Sequence, residues 1–324
     1  MQSPARMKRD ALSAFLRGLV ISALPLATIG CCDDEAQSIP VRVDGFVDAG
    51  DVSDAGALTY PVCEQLCPKG TGEKALYGCS VSEATDGGIT EVRCDEERTR
   101  CSAFPFGAGG RPPLGLKPRR RVETHDPVGA FFAAMAHVEA AAVDGFVELA
   151  TALAVHDAPT ALVADARRAA DDEARHARVA AAFARRFGAD GLPPVEIDAV
   201  AAPSLETLAL ANAREGCVLE TWGAVVTQWQ SRTARDRAVR RAFVNIARDE
   251  LRHAELAFAV ARWLHARLDE VSRRRVREAQ RASAVELARD IERPAPPRLV
   301  AAVGLPDRNA ARGLIADLRV RLWS

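Results

Sequence analysis

The same six-residue pattern, Asp-Glu-x-Arg-His-Ala, occurs twice in the chain, at 172–177 and at 249–254. Each copy contains Glu-x-x-His. On a helix, residues three positions apart lie on one face, so the carboxylate and the imidazole of each copy can bind one metal ion together. The duplication therefore favours a fold in which two such helices face each other.

The second copy belongs to an otherwise apolar helical face. Val239, Phe243 and Ile246 precede Glu250 and His253 at helical spacing, and further apolar residues follow. A charge that points into a core is costly unless it is paired or bound to metal. A single Glu-x-x-His usually forms a local hydrogen bond, but two copies on apolar faces among only six histidines favour a metal site.

Long amphipathic helices are predicted from residue 126 onwards. Asp126-Pro127 is a helix start, Gly188 a helix stop, and Ser204 the cap of a third helix. Thr233 with Asp236 resembles a capping box for a fourth helix. Two more helical pieces are predicted at 269–292 and 308–322.

The connection between the second and third predicted helices is long. Residues 188–203 contain several prolines and form a stretch of 16 residues, which spans about 50 Å when extended. A 28-residue helix is about 42 Å long. The connection can therefore run the full length of a bundle, which predicts two antiparallel hairpins joined by one long crossover.

A two-metal site in a helical bundle needs one further glutamate from each of the other two helices. The first predicted helix offers Glu139, which lies 34 residues before Glu173. The third offers Glu215, 35 residues before Glu250, and Glu220, 30 residues before it. Ligands of matching hairpins should lie at equal depth, so the spacing favours Glu215. In that case Glu220 either contacts the ligands without binding metal or makes a helix-packing contact.

This arrangement over residues 126–267 resembles the ferritin-like di-iron carboxylate superfamily. The resemblance implies an all-α fold, a ferritin-like four-helix bundle with one long crossover, and two iron ions, with manganese possible. It also implies that Asp172 and Asp249 accept the outer N–H of the histidine on the partner helix. The metal ligands that it implies are Glu139, Glu173, His176, Glu215, Glu250 and His253.

The first 31 residues resemble the processing segment of a bacterial lipoprotein. Basic residues within 1–17 precede an uncharged stretch at 18–29, which is typical of a signal peptide and too short to span a membrane permanently. The stretch ends in Thr28-Ile29-Gly30-Cys31, with Thr28 in place of the usual leucine. The pattern predicts export to the cell envelope and a lipid anchor on Cys31, at the periplasmic face or on the outer membrane. An ordinary secretory signal or a retained anchor is the alternative.

Composition divides the remaining chain into five parts. They are an acidic spacer without regular structure at 32–58, a Cys-rich module at 59–105, a Gly/Pro/Arg linker at 106–123, the dimetal bundle at 124–268, and C-terminal helices at 269–324. In an exported chain, five cysteines in one module favour disulfides over a zinc knuckle, which usually has two close Cys pairs. The disulfide candidates are Cys63, Cys67, Cys79, Cys94 and Cys101.

The sequence also excludes several functions. With 43 Lys+Arg against 44 Asp+Glu, no bulk charge attracts nucleic acid, and membrane contact is expected through the lipid anchor only. The only tyrosines, Tyr60 and Tyr77, lie outside the predicted bundle, which argues against a tyrosyl radical. Paired Cys-x-x-Cys motifs are absent from the sequence, so no attached rubredoxin domain, as in rubrerythrins, supplies electrons.

Two functions remain. The first is an oxidoreductase of oxygenase, ferroxidase or peroxidase type that reacts with O2 or peroxide, with a small substrate and an electron donor that the sequence does not identify. The second is a non-catalytic envelope lipoprotein that binds or sequesters iron, or keeps the metal for structure. Either function is compatible with an oligomer. Oxygen-rich ligands suit iron or manganese.

Overall fold

The chain divides into two compact units in the computed structural model. One comprises residues 1–30 together with 103–324, and the other comprises residues 31–102. We call them the helical unit and the small unit. The structure describes residues 9–22, 34–42, 74–85, 88–99, 110–117, 124, 126–189, 191–292 and 295–323.

The small unit contains a three-stranded antiparallel sheet in the order β1-β3-β2. The strands are β1 Asp34–Arg42, β2 Lys74–Thr85 and β3 Gly88–Thr99. Sequence analysis placed residues 32–58 in a spacer without regular structure, whereas Asp34–Arg42 pairs with β3. Strand β1 lies at the edge of the sheet, so only one of its sides is hydrogen-bonded to a neighbouring strand. Pro40, which has no N–H to donate, is compatible with such a strand.

The register of the sheet places Cys79 opposite Cys94. Cys31, Cys63, Cys67 and Cys101 lie outside the described residues, so lipidation of Cys31 and the disulfides of this unit stay predictions. Thr85 pairs with Gly88, and the intervening sequence is Asp-Gly. This dipeptide favours two-residue hairpin turns and is the sequence signal that could have predicted the hairpin.

The regular elements of the helical unit are helices, which confirms the all-α class for the described part of this unit. Its helices are α1 Arg9–Ser22, α2 Pro127–Val155, α3 Thr160–Arg186, α4 Leu205–Ala211, a π-helix Asn212–Glu220, α5 Thr221–Thr233, α6 Arg237–His265, α7 Glu270–Asp290, α8 Pro297–Val303 and α9 Arg308–Arg321.

Side chains satisfy free backbone donors at the starts of α2, α4 and α6, whereas α3 begins after Pro159 without a side-chain cap. Asp126 accepts a hydrogen bond from the N–H of Val128, and the proline of α2 follows it directly. Ser204 caps α4 through the N–H of Thr207. Asp236, rather than Thr233, is the cap of α6.

Two helical hairpins form the body of the unit. Helices α2 and α3 are joined by residues 156–159 and pack along each other, and α5 and α6 are joined by 234–236. Helix α3 also packs on α6, which brings the two Glu-x-x-His helices together. Short connections between long packed helices make each hairpin antiparallel.

Residues 187–204 connect the two hairpins, and part of the predicted linker lies against this crossover. Leu116 forms an isolated antiparallel bridge with Ile197. The N–H of Lys117 donates to the carbonyl of Glu196 at 2.9 Å. The described part of the linker, 110–117, is therefore packed on the helical unit.

The third predicted helix is interrupted by the nine-residue π-helix. Donors from the C-terminal region bond to its carbonyls: the Ser283 hydroxyl to Arg214 at 3.3 Å, and the Trp323 indole N–H to Cys217 at 2.7 Å. Such wide turns are rare and occur often at functional sites. The C-terminal helices thus hold an irregular segment in place.

Helix α1 packs on α5 and α6 through an apolar face that includes Leu12, Leu16 and Leu19. These residues fall within the predicted signal segment 1–31. In the described part of the chain, we find no helix with the length and apolar character that crossing a membrane requires.

Candidate metal centre

The two repeated motifs meet in the interior of the helical unit. Glu173 and His176 project from α3, and Glu250 and His253 project from α6. All four residues are buried, and the two imidazole ring centroids lie 6.0 Å apart. The helical spacing that placed each pair on one face therefore also places both pairs in one cluster.

One group of possible ligands surrounds His176. Its Nδ1 lies 3.2 Å from a carboxylate oxygen of Glu250, 3.4 Å from one of Glu173 and 3.8 Å from one of Glu139. Ligand atoms of these four residues all lie within 4.8 Å of one another. This spacing allows all four to bind the same ion.

A second group surrounds His253. Its Nδ1 lies 3.0 Å from an oxygen of Glu173 and 3.7 Å from one of Glu220. These three residues also have ligand atoms within 4.8 Å of one another. Glu173 belongs to both groups, so two ions bound in them would be neighbours.

Glu220, not Glu215, is the glutamate that the third helix contributes to these groups. Glu220 is 0% exposed, whereas Glu215 is partly exposed in a cleft beside Arg111 and Glu148. Among the described residues, the two groups do not include Glu215. The spacing had favoured Glu215, and the structure places Glu215 outside both groups.

The two hairpins differ in length beyond the site, so ligands at equal depth do not have equal spacing in the sequence. Glu220 lies 13 residues before the end of α5, and Glu250 lies 13 residues after the start of α6. Glu173 also lies 13 residues into α3, but Glu139 lies 16 residues before the end of α2. The first hairpin thus extends about one turn further, which lengthens its spacing.

Each histidine contacts an aspartate on the opposite motif helix. His176 Nε2 lies 3.2 Å from Asp249, and His253 Nε2 lies 3.4 Å from Asp172. A proton on Nε2 that is donated to the aspartate leaves the lone pair of Nδ1 directed at the glutamates. The aspartates thereby fix which ring nitrogen is free to bind metal.

The arginine of each motif supports these aspartates, a role that sequence analysis missed. Arg252 Nη2 lies 2.8 Å from Asp172 and 2.7 Å from Asp249. Arg175 forms ion pairs with the same two carboxylates. The signal was present in the sequence, because both copies of the motif carry arginine at the same position.

Several buried ligand atoms have no hydrogen-bond partner. Although His253 Nδ1 approaches Glu173, the contact lacks hydrogen-bond geometry. The unpartnered atoms are both carboxylate oxygens of Glu173, both of Glu220, and Nδ1 of His176 and of His253. Leaving buried polar atoms unpaired costs about 1–3 kcal/mol each, and more when they are charged. A bound cation would satisfy these atoms together, so the residues fit a metal site.

The charges of the cluster shift several pKa values. Burial, reinforced by Glu250 and Glu173, raises the pKa of Glu220 to about 8. Burial also raises the pKa of Glu139, with Glu173 adding to the effect. Burial by itself lowers the pKa of His253, but Asp172 and Glu173 outweigh it and raise that pKa. The cluster thus retains protons that metal ions would displace.

Comparison with known proteins adds no family to this description. No model of a protein family matches the sequence, no curated protein is significantly similar to it, and no solved structure gives a significant match.

Replacing Glu220 tests its place in the second group. Glu220→Ala should weaken binding of the second metal equivalent by at least about tenfold. Even residues that only hydrogen-bond to a metal ligand change metal affinity by about that factor. Glu215→Ala is the matched control, from the same π-helix, and should bind metal like the unaltered protein. Elemental analysis after titration with ferrous or manganous ion measures both. Equal metal loss in the two variants, or a loss only in Glu215→Ala, would contradict the assignment.

Proposed function

We propose that this protein is a ferritin-like dimetal oxidoreductase that uses iron, or manganese, to react with O2 or peroxide. The observation that carries the proposal is the pair of buried ligand groups that share Glu173. Four carboxylates and two imidazoles form a donor set that suits iron and manganese. Two hairpins joined by the crossover 187–204 are consistent with a ferritin-like four-helix bundle.

When bound, a pair of redox-active ions would supply electron transfer to O2 or peroxide. The residues of the two ligand groups would hold the ions, and the aromatic side chains around them would keep water away. Phe146 packs against the His253 ring, with centroids 5.0 Å apart. Beyond the site, Phe132 stacks with Phe183 and Phe243 across α2, α3 and α6. Before metal binds, Glu220, with its raised pKa, holds a proton at neutral pH that a bound cation would displace.

The second candidate function is non-catalytic: the protein binds or sequesters iron, or retains the metal for structure. The burial of the ligands favours it, since Glu173 is 1% exposed and Glu220 is 0% exposed. A reactant would have to reach this cluster from the surface. The two functions differ in whether the metal reacts repeatedly.

Turnover distinguishes the two functions. We expect the metal-loaded protein, supplied with ascorbate, to consume many equivalents of O2 or peroxide per metal pair. Glu173→Gln, which alters the ligand shared by both groups, should reduce the rate by at least about a hundredfold. Glu278→Gln on the exposed face of α7 is the control and should retain the rate. One reaction equivalent per metal pair, or none, would contradict the oxidoreductase and favour the non-catalytic function.

We also propose that the protein works in the cell envelope, held by a lipid on Cys31. The support is the sequence of residues 1–31, with basic residues, an uncharged stretch and Gly30-Cys31. Processing before Cys31 would remove α1 from the mature chain and uncover the surfaces of α5 and α6 on which its leucines pack. Disulfides in the small unit are compatible with this location.

Mass spectrometry of the native protein tests the location. The predicted chain begins at a lipid-modified Cys31 and partitions with membranes. Cys31→Ala should abolish the modification and leave the remaining sequence unchanged. A chain that begins at Met1 and carries no lipid would contradict the proposal.

A further inference from the structure

We propose that Arg111 and the cleft beside it bind the carboxylate of a small organic molecule next to the metal centre. Because it identifies a class of substrate, this proposal rests on the proposed function. The cleft lies between residues 111–114, α2, and the helix formed by α4 and the π-helix. It is a narrow cleft that opens to solvent, with a cavity volume of about 30 Å³, and leucine and proline side chains form much of its wall.

Arg111 is an unusual residue to bury without a counter-ion. It is 4% exposed, and its Nη2 donates to the Asn212 side-chain oxygen at 2.7 Å. Its Nε has no hydrogen-bond partner, and its guanidinium forms no ion pair with a carboxylate of the described residues. Buried charges are normally paired because their desolvation is costly. The unpaired guanidinium therefore indicates that an anion binds here.

Two glycines inside helices make room for Arg111. A side chain on Gly145 would collide with the Arg111 carbonyl, and an ideal Cβ on Gly216 would lie 2.5 Å from Arg111 Nη2. Glycine within a helix costs about 0.5–1 kcal/mol relative to alanine. Gly145 leaves room for the backbone of Arg111, and Gly216 leaves room for its guanidinium. Glycines on two separate helices thus permit the position of Arg111.

The cleft is one aromatic ring away from the metal ligands. The Arg111 guanidinium lies over the Phe146 ring at 5.6 Å from its centroid, and the His253 ring packs against the same phenylalanine with centroids 5.0 Å apart. A molecule held by Arg111 would therefore lie beside the second ligand group. An arginine binds a carboxylate through two parallel hydrogen bonds, which fixes the orientation of the molecule.

Two acids, Glu148 and Glu215, line the same cleft. The Glu148 carboxylate accepts a hydrogen bond from the Leu114 N–H at 3.0 Å, and burial raises its pKa. Burial raises the pKa of Glu215 to about 7, although Arg111 opposes this shift. A protonated Glu215 can donate a hydrogen bond to a bound carboxylate.

Calorimetric titration of the full-length protein with butyrate, and with butyramide as its neutral isostere, tests this site. We expect butyrate to bind at least about tenfold more tightly than butyramide, since hydrogen bonds to charged groups contribute about 1.5–3 kcal/mol. Arg111→Gln should remove that preference. Gly216→Ala, which leaves the arginine in the sequence but displaces its guanidinium, should reduce it. Arg274→Gln, an exposed arginine of α7, is the control and should bind butyrate normally.

Equal binding of butyrate and butyramide by the unaltered protein would overturn the proposal, without reference to any variant. Butyrate binding that persists in Arg111→Gln would also overturn it, because the anion would then bind elsewhere, for example on the metal. Turnover measured on the same preparations separates the two proposals. Turnover without butyrate binding contradicts only this site, and Arg111-dependent binding without turnover contradicts only the oxidoreductase.

Discussion

The helical unit buries four glutamates and two histidines among the apolar side chains of its helices, and much of its structure follows from the charge of this cluster. Unpaired carboxylates in such a core would cost more free energy than a domain of this size can supply. The structure balances part of the charge with protons, as the raised pKa of Glu220 shows. It orients both imidazoles with Asp172 and Asp249, which Arg175 and Arg252 hold in turn. A bound cation would satisfy the carboxylate oxygens and imidazole nitrogens of the cluster that lack a hydrogen-bond partner.

The irregular π-helix reflects the same constraint. It carries Glu220 into the second ligand group at its last residue and Asn212, the partner of Arg111, at its first. Ser283 and Trp323 bond to its carbonyls from the C-terminal region, whose function the sequence left unexplained. These helices therefore do more than cover hydrophobic surface, because they hold the segment that connects the metal ligands to the Arg111 cleft.

Sequence periodicity predicted the features that depend on local spacing. The Glu-x-x-His repeats place Glu173, His176, Glu250 and His253 in one cluster because three residues make nearly one helical turn. Glu215 was preferred over Glu220 because its spacing from Glu250 matches that of Glu139 from Glu173. That comparison assumes hairpins of equal length, and the two hairpins differ. Arg111 belongs to a segment whose composition is typical of a linker. Its environment depends on packing against Gly145 and Gly216, which are distant in the sequence. Strand β1 was missed because its acidic start and short apolar alternation resemble a spacer.

Anomalous diffraction from crystals of the full-length protein loaded with iron or manganese would locate the bound ions. We expect two neighbouring peaks in each chain. One should lie among Glu139, Glu173, His176 and Glu250, and the other among Glu173, Glu220 and His253. A single peak, peaks at other residues, or an empty cluster whose glutamates and histidines pair with each other would contradict this expectation.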